Sequence, residues 1–198
     1  MGGVVVDKNA EMGMGTLIIF IAMILVAAIA ASVLISTTGA LRGKALTTGK
    51  ATTQEVGTVI STVQLYGEDG SNQTVDHLYL SVKLGAGSDA IKFSDTLIRM
   101  QLSNTTADYL YSASGSCTDT STLAAGGDFG VKYQITGTNN KSGYLVRGDV
   151  IQVCMIAPRE IREGEKIRVS ITPMAGSPTI LEVSVPDQVT DKRVSLFP

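Results

Sequence analysis

The sequence predicts an α+β chain: a long N-terminal hydrophobic α-helix, then an antiparallel β-sandwich or barrel of immunoglobulin-like type. Three observations predict it. In the run of residues 17–35 Ser32 is the one polar side chain, and no charge occurs between Met12 and Leu41. Beyond residue 66 short apolar stretches are divided by Gly, Ser, Asn and Asp, the spacing of strands and turns. The remainder after the helix is long enough for one ordinary domain and too short for two.

The helix comes first. At about 1.5 Å rise per residue, roughly 20 apolar residues cross the roughly 30 Å hydrocarbon core of a bilayer, so residues 17–35 are of membrane length. Their apolar side chains surround the helix on all sides, as in helices buried in lipid or among other helices. Leu41, Ala45 and Leu46 carry the pattern onward without a proline, and Val56, Val59, Ile60 and Val63 recur at i, i+3, i+4, i+7. The simplest reading is one helix of about 50 residues, about 75 Å long, within a helical segment of residues 11–65. Gly39, Gly43, Gly49 and Gly57 each cost about 1 kcal/mol against Ala in an isolated helix. Ala27, Ala31, Gly39 and Gly43 fall on multiples of four, one strip of small residues along which other helices could approach closely. A lone, Ala-rich membrane anchor fits the same residues.

Composition bounds the partners. The chain has 16 basic and 18 acidic residues, a formal charge of −2, so it lacks the basic field of a nucleic-acid binder. Aromatics are 5% and Trp is absent, while Gly, Ser and Thr abound after residue 36, a usage common in secreted β-rich proteins. Residues 1–10 carry Asp7 and Lys8 but no strongly basic region ahead of the apolar run. Signal cleavage near Ala30-Ala31-Ser32 and an uncleaved anchor are both compatible with these residues. Arg42, Lys44 and Lys50 would keep the C-terminal domain in the cytoplasm by the positive-inside rule. Three Asn-x-Ser/Thr sequons, at Asn72, Asn104 and Asn140, argue for an exported domain instead.

Strands are expected at residues 78–84, 91–93, 96–102, 131–135, 150–155, 166–171 and 179–185, an antiparallel sandwich or barrel over residues 66–198. Residues 103–127, mostly small and polar, read as a long surface loop. Little points to catalysis. The single histidine, His77, stands beside Asp76 at the start of a strand and reads as an exposed side chain rather than a ligand or a base, and two cysteines 37 positions apart exclude the usual zinc spacings. Cys117 and Cys154 could pair in an oxidising compartment, tying the polar loop to a strand, or stand as two thiols with Cys154 buried; the sequence leaves both open. Gly85-Ala86-Gly87 has no following helix with which to cradle phosphate. The carboxylates at Glu68-Asp69 and among residues 160–165 form an acidic surface rather than a metal site, and no metal or other cofactor is expected.

The stretch Gly13-Met14-Gly15-Thr16-Leu17-Ile18-Ile19-Phe20-Ile21-Ala22-Met23-Ile24-Leu25-Val26-Ala27-Ala28-Ile29-Ala30-Ala31-Ser32-Val33-Leu34-Ile35 resembles the N-terminal signature of archaeal flagellins, or archaellins. The likeness continues through Lys44-Ala45 and Thr52-Thr53-Gln54-Glu55-Val56, and returns in Tyr144-Leu145-Val146-Arg147-Gly148-Asp149 and the strand of residues 167–173. The resemblance implies a type IV pilin-like filament subunit for swimming, extracellular once assembled, with hydrophobic helices bundled in the filament core. Leu17, Ile18, Phe20, Ile21, Ile24, Leu25, Ala27, Ala28, Ala31, Leu34, Ile35, Gly39 and Gly43 would then pack in that core. It also implies a leader, residues 1–10, cut by a prepilin-type peptidase between Ala10 and Glu11, although the family usually has Gly before the cut. The implied partners are further copies of the chain, paralogous archaellins, the peptidase, the rotary motor and its assembly platform, the membrane before assembly, and N-glycans. Two other functions share this architecture. An adhesive type IV pilin typically has Glu at the fifth mature position, where this chain has Gly15; a single-span anchored binding protein has no such requirement.

Overall fold

The computed structural model describes residues 8–69 and 74–198. Helix α1 spans Lys8–Gly57 and is followed by eleven described strands: β1 Ile60–Asp69, β2 Val75–Leu84, β3 Ile91–Lys92, β4 Thr96–Gln101, β5 Thr106–Tyr111, β6 Asp128–Ile135, β7 Tyr144–Leu145, β8 Val150–Ile161, β9 Lys166–Pro173, β10 Thr179–Ser184 and β11 Arg193–Phe197. Residues 1–50 and 51–198 fall into two units.

The helix stops earlier than its apolar periodicity predicts. Thr58 N still donates to Gln54 O at 3.0 Å, but from Ile60 the backbone is strand and not helix to residue 65. Gly57 ends the helix, and the β-branched Thr58, Val59, Ile60, Thr62 and Val63 then favour extended backbone, where their χ1 restriction costs least. Ile60 enters the core at 3% exposure. Two loops hold this bend: Ser177 N donates to Thr58 O at 3.0 Å and Gly85 N to Val59 O at 2.8 Å, while Val59 N donates to Ser88 Oγ at 3.0 Å. Gly176 is required here. Its φ is +126°, and a Cβ would stand 2.7 Å from Thr58 O.

The expected sandwich is a nine-stranded sheet in the order β10-β9-β4-β5-β6-β8-β2-β1-β11, with β3 and β7 as a separate pair. Every junction is antiparallel except β5–β6, where Leu110 and Tyr111 run parallel to Asp128 and Phe129. The two halves on either side of that junction share one hydrophobic core. Leu78, Leu80 and Val82 of β2 and Ile151, Val153 and Met155 of β8 join Ile98 and Met100 of β4, Tyr109 of β5, and Val169 and Ile171 of β9. These side chains alternate along their strands, the period that puts one face of each in the core. Tyr109, wholly buried, donates its hydroxyl to Ile156 O at 2.8 Å.

Residues 103–127 are not simply a surface loop. They contain β5, and the segment after it lies on the outer face of the sheet. There Leu123, Tyr66, Tyr79 and Cys154 form a second buried cluster, the two tyrosine rings stacked 5.0 Å apart. Gln152 donates its side-chain amide to the Tyr66 hydroxyl. Cys117 and Cys154 are joined, with Cα atoms 5.4 Å apart. Gly130, paired with Cys154 across β6 and β8, leaves room for this cover: a Cβ would come within 2.9 Å of Gly115 O and 3.0 Å of Cys154 Sγ. Burial first, then the neighbouring Glu68, raises the Tyr79 phenol to about 12.

A polar network ties the turn between β4 and β5 to that between β8 and β9. The Glu165 side chain, 8% exposed, accepts from Ser103 Oγ at 2.6 Å, Ser103 N at 3.2 Å, Arg159 Nη1 at 3.0 Å and Arg162 N at 3.3 Å. The Arg159 guanidinium, more than any other group, holds the Glu165 carboxyl down at about 2.

Two measurements check this account. Replacing both Cys117 and Cys154 by Ser should cost about 3–4 kcal/mol in denaturant unfolding, from the loop the bond closes; no change in midpoint would mean the cross-link contributes nothing. Because the folded carboxyl of Glu165 is depressed, its contribution is full above the ordinary carboxylate pKa and is lost as pH falls from about 5 towards 2. Glu165→Gln should therefore cost on the order of 1–3 kcal/mol at pH 7 and flatten the acid limb of the stability curve. An unchanged acid limb would remove Glu165 from the account.

Candidate functional site

Helix α1 carries a surface that its own chain leaves uncovered. From Met12 through Gly57 no side chain is buried, and among the expected core-packing residues Leu17, Ile18, Phe20, Ile21, Ile24, Leu25, Leu34 and Ile35 are between 49% and 74% exposed. It is the one described helix long and apolar enough to cross a membrane. Soluble monomers rarely leave so large an apolar patch in water; such patches mark contact with lipid or protein.

The polar residues on this helix are adapted to the same surroundings. Thr16 Oγ1 donates to Gly13 O at 2.9 Å, Thr37 Oγ1 to Val33 O at 2.9 Å, and Thr47 Oγ1 to Lys44 O at 2.8 Å. A hydroxyl that bonds back to its own helix can enter an apolar medium without an unpaired donor. The glycines have the opposite relation to the chain. At Gly39 and Gly43 an added Cβ would meet nothing within 4 Å. Nothing inside the described chain therefore calls for Gly at either position, and Ala would form a better helix. Along with Ala27, Ala28 and Ala31, which are also exposed, they make a low profile suited to a closely packed neighbour.

The remaining residues singled out from the sequence fall at the start of α1 or beyond it in the chain. The backbone of Ala10 and Glu11 is helical, continuous with α1. Asn72 lies outside the described residues. Asn104 is exposed in the tight turn between β4 and β5, and Asn140 is exposed in a turn ahead of β7. His77 Nδ1 is 2.7 Å from Asp76 Oδ1 on the partly exposed part of β2. Among the described residues no cluster of His, Cys, Asp and Glu is arranged to hold a metal. Two arrangements were not legible in the sequence: the clasp of Thr58, Ser88 and Ser177 around the helix exit, and the Arg159–Glu165 network. The first unites residues distant in the chain, the second joins the Arg159–Glu165 pair to the distant Ser103 and Asn104, and neither leaves a local pattern.

A family model described as archaeal-type flagellin matches residues 10–183. Flagellin A2 of Halobacterium salinarum is 36% identical over 190 residues, 94% of each chain. Flagellin B2 of Methanocaldococcus jannaschii is 34% identical over 201 residues, 90% of each. Two solved structures share the fold. The crystal structure of archaeal flagellin FlaB1 from Methanocaldococcus jannaschii matches with a TM-score of 0.63 at 15% identity, over 71% of this chain and 97% of that one. The archaeal flagellum of Methanospirillum hungatei strain JF1 matches with a TM-score of 0.70 at 18% identity, over 94% and 99%. With its uncovered apolar helix and its sheet, this chain belongs to the archaeal-type flagellin family.

Proposed function

We infer that this chain is a structural subunit of the archaeal flagellum filament, not an enzyme, and that it polymerises through α1. The observation that carries the reading is the helix without a buried side chain from Met12 to Gly57. Repetition of one head-to-tail contact whose rotation does not close generates an open helical fibre, so a single interface suffices for a filament of any length. The apolar residues of α1 supply that interface. A subunit arriving from lipid has already left water, so transfer energy contributes little to assembly. Van der Waals packing along the small-residue strip contributes the difference.

The steps around assembly are further parts of this proposal. The precursor resides in the membrane through residues 17–35. A prepilin-type peptidase removes residues 1–10 by cutting between Ala10 and Glu11, the chain is exported, and N-glycans are added at sequons of the exported domain. Further copies of the chain and paralogous flagellins are its neighbours in the filament. A motor and assembly platform add subunits and turn the product for swimming. The support is the residue pattern: a charge-free span, a Gly-x-Gly start and three sequons on one side of it.

Substitutions separate assembly from folding. Ala27→Glu or Ala31→Glu places a charge in an apolar interior and should abolish filaments in electron micrographs. At Gly43 an added Cβ meets nothing within 4 Å beyond its own stretch of helix, so Gly43→Leu should leave the stability of the sheet domain unchanged to within about 0.5 kcal/mol while filaments are lost or shortened. Wild-type filaments from all three variants would show that this face is not an assembly surface. Deletion of the chain, with paralogues also deleted, should leave cells without filaments and unable to swim. N-terminal sequencing of filament protein that returns Met1 would overturn the leader assignment.

A further inference from the structure

We propose that Asn104 carries a glycan and that Asn140, though an equally good sequon by sequence, serves instead as a structural residue. This rests on the reading of the chain as an exported, glycosylated subunit and goes further by dividing its sequons. The two sequons differ in which end of the carboxamide is free. Guanidinium groups only donate, so an amide facing one must present its oxygen; carboxylates only accept, so an amide facing one must present its nitrogen.

Asn104 faces a guanidinium. Its Oδ1 accepts from Arg159 Nε at 2.9 Å and Arg159 Nη2 at 2.7 Å, and from Thr105 Oγ1 at 3.1 Å. Its Nδ2 has no partner among the described residues. Arg159 is itself fixed by Glu165, so the amide is held by its oxygen with its nitrogen unengaged. Position favours attack as well. Leu102 N donates to Thr105 O at 2.8 Å, which makes Ser103 and Asn104 the two residues at the tip of a hairpin, and Thr106, the sequon hydroxyl, is exposed. Asn104 also borders an open hollow with Ser103, Arg159, Glu160 and Arg162.

Asn140 faces a carboxylate. Its Nδ2 donates at 3.2 Å to Oδ2 of Asp149, which is 1% exposed. The other donors to Asp149 are Gly137 N at 2.7 Å and Val146 N at 3.3 Å. Pulling the Asn140 amide away would leave a buried charge short of a donor, the costliest kind of hydrogen bond to lose. Asn140 thus closes the turn that organises residues 137–149.

The reaction is group transfer from a lipid-linked sugar phosphate. The bond from Asn104 Nδ2 to the sugar C1 forms as the C1–O bond to phosphate breaks. The phosphate leaves with the electron pair, and the amide proton passes to a base on the transferase. An amide whose nitrogen is free reaches that geometry without breaking a bond of the fold.

Trypsin separates the sequons: after reduction, Asn72, Asn104 and Asn140 fall on peptides 51–83, 100–132 and 133–141. Mass spectrometry of filaments sheared from native cells should find glycan on peptide 100–132 and none on 133–141. Asn104→Gln should remove that added mass from the intact subunit. Asn140→Gln should leave the added mass unchanged and lower the melting temperature. Glycan on peptide 133–141 overturns the proposal. So does glycan on 51–83 with 100–132 bare, an outcome that leaves the glycoprotein reading standing. Three bare peptides overturn both.

Discussion

The apolar side chains of α1 face a single physical requirement, removal from water, that no other part of the described chain meets. Met12 through Gly57 form a helix whose backbone bonds are satisfied internally and whose threonine hydroxyls, at positions 16, 37 and 47, return to the helix carbonyls. Such a segment is at home in lipid, where unpaired polar groups are expensive. It is equally at home against copies of itself, provided that its profile is low enough for dispersion contacts to improve on those with lipid tails. Under the function proposed above, the same residues would serve both membrane residence and filament assembly, with the small residues tilting the balance towards the second.

The sheet domain meets the opposite requirement, because its apolar side chains are buried in a core of its own. It has one between the two halves of the sheet and a second, smaller one outside it, under the segment that Cys117 fastens to β8. That segment explains why Tyr79, Gln152 and Cys154, on what would have been a solvent face, are all buried. The outer strands, β10 and β11, are short at six and five residues. Short edges offer little template for adding further strands, which leaves the helix as the surface for orderly growth. Where the helix gives way to β1, backbone bonds from Gly85 and Ser177 pin Thr58 and Val59.

Much of this was readable from the chain in order. The membrane-length helix, seven of the strands and the family likeness all rest on local patterns: a charge-free run, alternation over a few residues, a motif. The far end of the helix was misread because Val56, Val59, Ile60 and Val63 satisfy a helical period while their β-branched neighbours satisfy an extended one. Periodicity cannot decide between two local solutions; the buried place for Ile60 in the sheet core does. Strand β5 escaped notice because Thr106, Asp108 and Leu110 lie exposed and only Ala107 and Tyr109 reach the core, a signal too thin among Ser and Thr residues.

By itself the sequence determined that this protein must place a long apolar helix out of water and fold the rest as β-structure, because both follow from composition and spacing within short windows. Only the tertiary structure decided where the helix stops, that Cys117 meets Cys154, and that two identical-looking sequons present opposite ends of their amides. Most of those outcomes depend on contacts between residues tens of positions apart, and the nine positions from Asn140 to Asp149 are bridged by a turn that no local pattern marks. Arg159 beside Asn104 and Asp149 beside Asn140 are set by how the strands turn and pair, and the fate of each amide follows from the charge that the fold puts next to it.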